Sequence, residues 1–224
     1  SNKCIYVLGT ASFIAELRKN GLHITEEFSE DIACVVVAYD SELNYEKLSK
    51  VCQVLFEKDA DVKMPPASIT KIMTLLLVME AIEAGKFDYK TEVTCSEHSA
   101  SMGGSQIWLE VGEKMTVDEL LRASAIGSAN DATCALGELV SGSEEGFIAL
   151  MNERAKSLLM ANTVFKNSTG LDADGHITTA RDIAIMSREL LKHKDITKYT
   201  TVWMDSLRDG KTELVNTNKL IRFY

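Results

Sequence analysis

Two short polar motifs stand out for the chemistry their residue types allow. Ser68-Ile69-Thr70-Lys71 has the form S-x-x-K, and farther along Ser128-Ala129-Asn130 has the form S-x-N. A serine hydroxyl is a weak nucleophile until a base takes its proton. Residues three apart in a helix share a face, so Lys71 can reach the Ser68 hydroxyl. A lysine serves as that base when burial or a nearby cation draws its pKa toward neutrality. The start of a helix adds a field that favours developing negative charge. In the second motif, Ser128 can relay protons to a leaving amine and Asn130 can hold substrate amide groups. Each motif also has a plainer reading: an N-cap serine with a solvated lysine, and a helix-start turn. For the first motif, context favours chemistry. A solvated lysine is out of place on the helix that Ile72 to Met79 would bury on every side, and a buried lysine is costly without partners or a function.

The elements that must position these groups follow from the hydrophobic pattern. Pro65-Pro66 stops any regular element. The pattern then predicts one helix from Ser68 to Gly85, apolar on nearly every face and therefore central to a core, with Gly85 as its stop. Leu120 to Ile126 and Ala132 to Val140 read as two more helical stretches, and the short break between them would aim Ser128 and Asn130 into a cleft. The first 54 residues have another character. Cys4 to Leu8 reads as a strand, Phe13, Ile14 and Leu17 as a helix ending at Asn20-Gly21, and Ile32 to Tyr39 as a buried strand. Leu43 to Leu55 again has helical spacing. Alternating strands and helices predict a small parallel α/β (βαβα) unit over 1–54, ahead of a second, α+β domain over 55–224.

Bulk properties narrow the function classes. The chain has 224 residues, 46% hydrophobic and 25% charged, as in ordinary globular proteins. A net charge of -9 disfavours a nucleic-acid surface, and no polybasic membrane patch stands out. Cys4, Cys34, Cys52, Cys95 and Cys134 are widely spaced with no C-x-x-C pair, so buried free thiols are expected. His23, His98, His176 and His193 show no H-E-x-x-H spacing, and neither a structural metal nor a cofactor is expected. No apolar run is long enough for a membrane helix. No signal-peptide pattern opens the sequence, and Ser1-Asn2 reads as a tag remnant.

Taken together, PPASITK, MGGSQIWLEVGEKMTVDELLRASAIGSANDA and NSTGLDADGHITTARDIAIMSREL closely resemble the serine D-alanyl-D-alanine carboxypeptidases. These belong to the penicillin-binding and serine β-lactamase superfamily. The resemblance implies a transpeptidase-like domain built around a central buried helix. It also implies that Ser68 is the acylated nucleophile, Lys71 its base, and Ser128 and Asn130 the second motif. The implied partners are peptidoglycan stem peptides ending in D-Ala-D-Ala, and β-lactam antibiotics. The implied location is the extracytoplasmic cell envelope, and the family's C-terminal membrane anchor would lie beyond Tyr224. His176 and Thr178-Thr179-Ala180-Arg181-Asp182 resemble the family too, but a structural role is expected: Thr178 or Thr179 caps the helix through Ile183, Met186 and Leu190, and Asp182 suits its first turn.

Two departures from the family pattern bear on activity. Its third motif, K-T-G on a strand beside the serine, is not found, since Gly210-Lys211-Thr212-Glu213 puts Glu213 where a small residue is needed. That reads as a truncated domain whose activity is impaired, with an inert chimeric or binding module as the alternative. A class A β-lactamase fits less well, because Glu213-Leu214-Val215-Asn216 does not match the required E-x-x-L-N. The other departure is at the start. YVLGTASFIAELRKNGL and VVVAYDSELNYEKLSKVCQVL resemble the cap-domain entry of haloacid-dehalogenase-type phosphatases. That chemistry needs a D-x-D-G-T motif, which is lacking, so a structural fragment joined near Gln53-Val54 is expected instead.

Overall fold

The computed structural model describes residues 4–8, 11–25, 32–37, 59–216, 218 and 221. The chain divides into two compact units, Ser1–Ala60 and Asp61–Tyr224.

In the first unit, β1 (Cys4–Leu8) leads into α1 (Ala11–Lys19), which returns to β2 (Ile24–Thr25); β3 (Ile32–Val37) follows. The sheet order is β2-β1-β3, and both pairings of β1 are parallel. A helix crossing between parallel strands is the α/β arrangement that the alternating pattern predicts, but the strand that α1 reaches first, β2, is an addition to that pattern. Gly21, at φ +79°, ends α1 in the left-handed conformation, and Leu22 N–H closes back on the Leu17 carbonyl. The helix expected over 43–55 lies outside the described residues.

The second unit is α+β and is organised around α2 (Lys71–Glu83). Met73, Leu76 and Val78 on this helix are fully buried, and Leu75, Leu77 and Met79 nearly so. Four helices pack on it: α4 (Val117–Gly127), α5 (Asn130–Ser141), α6 (Glu144–Ser157) and α7 (Ala180–Leu190). A helix with neighbours on every side has no use for a polar face, which explains its uniform composition. The short α3 (Glu97–Ala100) lies between β4 (Glu92–Thr94) and β5 (Lys114–Thr116), which pair antiparallel. A last helical turn, α8 (Thr197–Thr200), precedes the hairpin of β6 (Met204–Leu207) and β7 (Thr212–Val215).

Helix starts are fixed by side chains that accept otherwise orphaned N–H groups. Thr116 and Glu119 form a reciprocal capping box on α4, Ser143 caps α6 through Gly146 N–H, and Thr179 caps α7 through Asp182 N–H. Cys95 and Cys134 are buried free thiols. Among the described residues no helix is long and apolar enough to cross a membrane.

The expected single helix from Ser68 divides in two. Ala67–Thr70 forms a 3-10 turn, and the α-helix begins at Lys71. Ala67 has φ +47°, a conformation that costs a non-glycine residue about 1–2 kcal/mol. Gly170 packs closely against this residue: a Cβ added at Gly170 would lie 1.8 Å from the Ala67 carbonyl oxygen.

Candidate active site

Ser68 sits exposed on the 3-10 turn, while Lys71, one turn on, is 4% exposed. The tight turn brings Lys71 Nζ to 3.2 Å from Ser68 Oγ, and the same nitrogen donates to the Thr169 carbonyl at 2.8 Å. Burial lowers the lysine pKa from 10.5 to about 8, because no bulk water remains to solvate the ammonium. A near-neutral amine beside an accessible hydroxyl is a nucleophile–base pair.

The loop that receives Lys71 is itself anchored. Thr74 Oγ1 donates to the Ser168 carbonyl at 2.7 Å. Ser168 N–H and Oγ both donate to Glu144 Oε1, at 3.0 and 2.9 Å. Asn167 Oδ1 accepts from Gly170 N–H at 2.6 Å. Gly170, at φ +91°, lets the loop press on the Ala67 carbonyl where any side chain would collide. Nucleophile turn and loop are thus locked face to face.

His176 supports the same turn. Its Nδ1 accepts from Lys166 N–H at 3.4 Å, which leaves Nε2–H to donate to Thr70 Oγ1 at 2.9 Å. Burial pushes its pKa down, so the ring is neutral. Phe165 packs edge-on to it at 6.0 Å between centroids. Such a histidine positions Thr70 and has no free nitrogen for proton transfer, in keeping with the structural role expected for it. Asp182, expected in the first turn of α7, also accepts from Asn162 N–H and Thr163 Oγ1.

The second motif occupies the break between α4 and α5. Ser128 ends α4 in the left-handed conformation, half-buried, and Asn130 opens α5. Asn130 N–H donates to the Ser105 carbonyl at 2.6 Å and its Nδ2 to the Gly103 carbonyl at 2.7 Å. Gly104 between them is at φ +80°, and a Cβ there would come within 2.8 Å of Asn130 Nδ2. Leu171 Cδ2 touches the same spot. The loop 167–171 therefore meets both motifs, through Lys71 and Ala67 at one end and beside Asn130 at the other. Among the described residues no hydrogen bond joins Ser128 to Lys71.

Asp131, which sequence reasoning passed over, holds this region together. It is fully buried and accepts from the N–H groups of Ile107, Leu109 and Ala132. An aspartate directly after S-x-N at a helix start was the available signal. Trp108, between the two captured N–H groups, has φ +59° and is 75% exposed. Gly210-Lys211-Thr212-Glu213 forms the turn and first residues of β7; Thr212 Oγ1 accepts from Arg208, whose guanidinium pairs with Glu113. A cavity of about 400 Å³ opens beside the nucleophile turn, lined by Pro66, Ala67, Gly170, Leu171, Asp172 and Asp174 among others.

The family model described as D-alanyl-D-alanine carboxypeptidase matches residues 49–224. The D-alanyl-D-alanine carboxypeptidase DacF of Bacillus subtilis is 52% identical over 193 residues, covering 82% of this chain and 50% of that protein. The chain thus spans half the length of this curated relative. Among solved structures, the D-alanyl-D-alanine carboxypeptidase DacD of Francisella tularensis superposes with a TM-score of 0.68 at 35% identity, covering 75% of this chain and 41% of that one. Penicillin-binding protein D2 of Listeria monocytogenes, in its ampicillin-bound form, superposes at 0.65 with 28% identity, over 76% of this chain and 69% of its own. With the S-x-x-K turn built as described and this breadth of match, the chain belongs to the D-alanyl-D-alanine carboxypeptidase family, within the penicillin-binding and serine β-lactamase fold.

Proposed function

We propose that residues 55–224 form the acyl-transfer part of a serine-type D-alanyl-D-alanine carboxypeptidase that trims peptidoglycan stem peptides, with residues 1–54 a structural α/β segment. The observation that carries this reading is the desolvated Lys71 amine at 3.2 Å from Ser68 Oγ. In its neutral form the amine accepts the Ser68 proton as Oγ bonds to the carbonyl carbon between the two D-alanines. The oxyanion that develops is stabilised by backbone N–H groups, one of them from Ser68. The C–N bond then breaks, and the terminal D-alanine leaves with a proton relayed through Ser128. Water hydrolyses the Ser68 ester and regenerates the hydroxyl. Asn130, fixed by its bonds to the 103–105 loop, holds the substrate amide groups.

On this reading a β-lactam acylates Ser68 and then stalls, because its ring-opened product does not leave the site. Peptidoglycan as substrate implies work outside the cytoplasmic membrane. Release of D-alanine from a synthetic peptide ending in Lys-D-Ala-D-Ala tests the proposal. Release that disappears in Ser68→Ala is expected; equal release by Ser68→Ala, or none by the unmodified chain, overturns it.

A further inference from the structure

A second constellation of reactive side chains lies on the other side of the Ser168 anchor. Cys134 and Glu138 are one turn apart on α5 and share a face. Helix α3 packs on α5 and brings His98 to them. One donor atom from each residue (ring nitrogen, sulfur, carboxylate oxygen) lies within 4.8 Å of the other two. Cys134 is buried, Glu138 half-buried, and the His98 side chain 48% exposed. The cluster thus has a closed floor and a rim open to a cation from solvent. Spacing along the chain conceals it, and the expectation of no metal rested on spacing alone.

The donors are already oriented by outer partners. Ser96 Oγ donates to Glu138 Oε2 at 2.7 Å. Glu144 Oε2 bonds His98 Nε2 and accepts from Cys134 Sγ at 3.8 Å, while its other oxygen holds Ser168. A carboxylate behind a histidine ligand is a regular feature of metal sites, while the Cys134 contact is given up when the thiol loses its proton. Zinc bonds of about 2.0–2.3 Å in a tetrahedron put donor atoms about 3.3–3.8 Å apart. Closing the present cluster therefore requires shifts of about 1 Å, within rotamer reach of His98 and Glu138 at the rim. A mixed nitrogen, sulfur and oxygen set excludes magnesium and calcium, which take oxygen ligands.

We propose that His98, Cys134 and Glu138 form a binding site for a borderline-soft divalent cation of the zinc class, with Glu144 orienting His98. On binding, the Cys134 sulfur exchanges its proton, released to solvent, for a bond to the metal. Through Glu144 and Ser168 the site is joined to the loop that receives Lys71.

Cobalt(II) is the reporting probe, because tetrahedral cobalt absorbs strongly in the visible and a thiolate ligand adds a near-ultraviolet charge-transfer band. Titration of the 224-residue chain should give both bands, saturably, and zinc should erase them. Cys134→Ser should lose the thiolate band. His98→Ala should weaken zinc binding, measured against a chromophoric chelator, by more than about tenfold. His98 is half-exposed, so this variant tests the proposal even if Cys134→Ser fails to fold. Absence of the thiolate band in the unmodified chain, or zinc affinity unchanged in His98→Ala, overturns the proposal.

Discussion

The pH dependence of acylation follows from the burial of Lys71. With its pKa at about 8, about a tenth of the lysine is neutral at pH 7 and about nine-tenths at pH 9. If the neutral amine is the base, the acylation rate constant rises about tenfold over that interval, with an apparent pKa near 8. Stopped-flow acylation by a fluorescent penicillin reads this directly. Lys71→Arg keeps the cation but cannot lose its proton, so it should acylate at a small fraction of the normal rate at every pH. A flat profile from pH 7 to 9, or normal acylation by Lys71→Arg, refutes the assignment of Lys71 as base.

The same burial bears on stability. A drop from 10.5 to about 8 corresponds to a charging cost of about 3 kcal/mol. Below pH 8 both folded and unfolded states carry the proton, and the full cost weighs on the fold. Between about pH 8 and 10.5 the unfolded chain still binds a proton that the folded one has released, so stability rises with pH. Lys71→Met removes the cost but forfeits the bond to Thr169, worth about 1 kcal/mol. It should therefore be more stable than the unmodified chain by about 1–2 kcal/mol at pH 7, by urea denaturation, with the advantage gone above pH 10.5.

Other perturbations separate the supporting parts. Gly170→Ala would put a methyl carbon 1.8 Å from the Ala67 carbonyl oxygen, so turn or loop must move; a displacement of about 1 Å should slow acylation by about 10²-fold. Asp131→Ala leaves the buried N–H groups of Ile107 and Leu109 without their acceptor and should cost about 2–5 kcal/mol in chemical denaturation. His176→Gln should cost about 1–3 kcal/mol through Thr70 yet leave the apparent acylation pKa unchanged, because the ring positions the turn and transfers no proton.

How much was legible beforehand differs between local and long-range features. The all-round apolar run of α2, the capped start of α7 and the break at Ser128 were readable because each depends on neighbours in sequence. In the first unit β1 was readable as an apolar run and β3 as a β-branched one, whereas β2 (Ile24–Thr25) is too short to leave a pattern. The 3-10 turn at Ser68 was not readable; it packs on Gly170, distant in sequence. Nor was the grip of Asp131 on residues 107 and 109, or the meeting of His98 with Cys134. All three involve packing between segments far apart in the chain. Within the site, spacing placed Lys71 against Ser68. The Thr169 carbonyl that shares its amine came only with the fold.

The covalent bond itself gives the most direct measurement. After exposure to a penicillin and digestion with trypsin, mass spectrometry should find the drug on the peptide Met64–Lys71, at Ser68, with no adduct in Ser68→Ala. Drug attached to a different peptide, or attachment that survives Ser68→Ala, would contradict the assignment of Ser68 as the nucleophile.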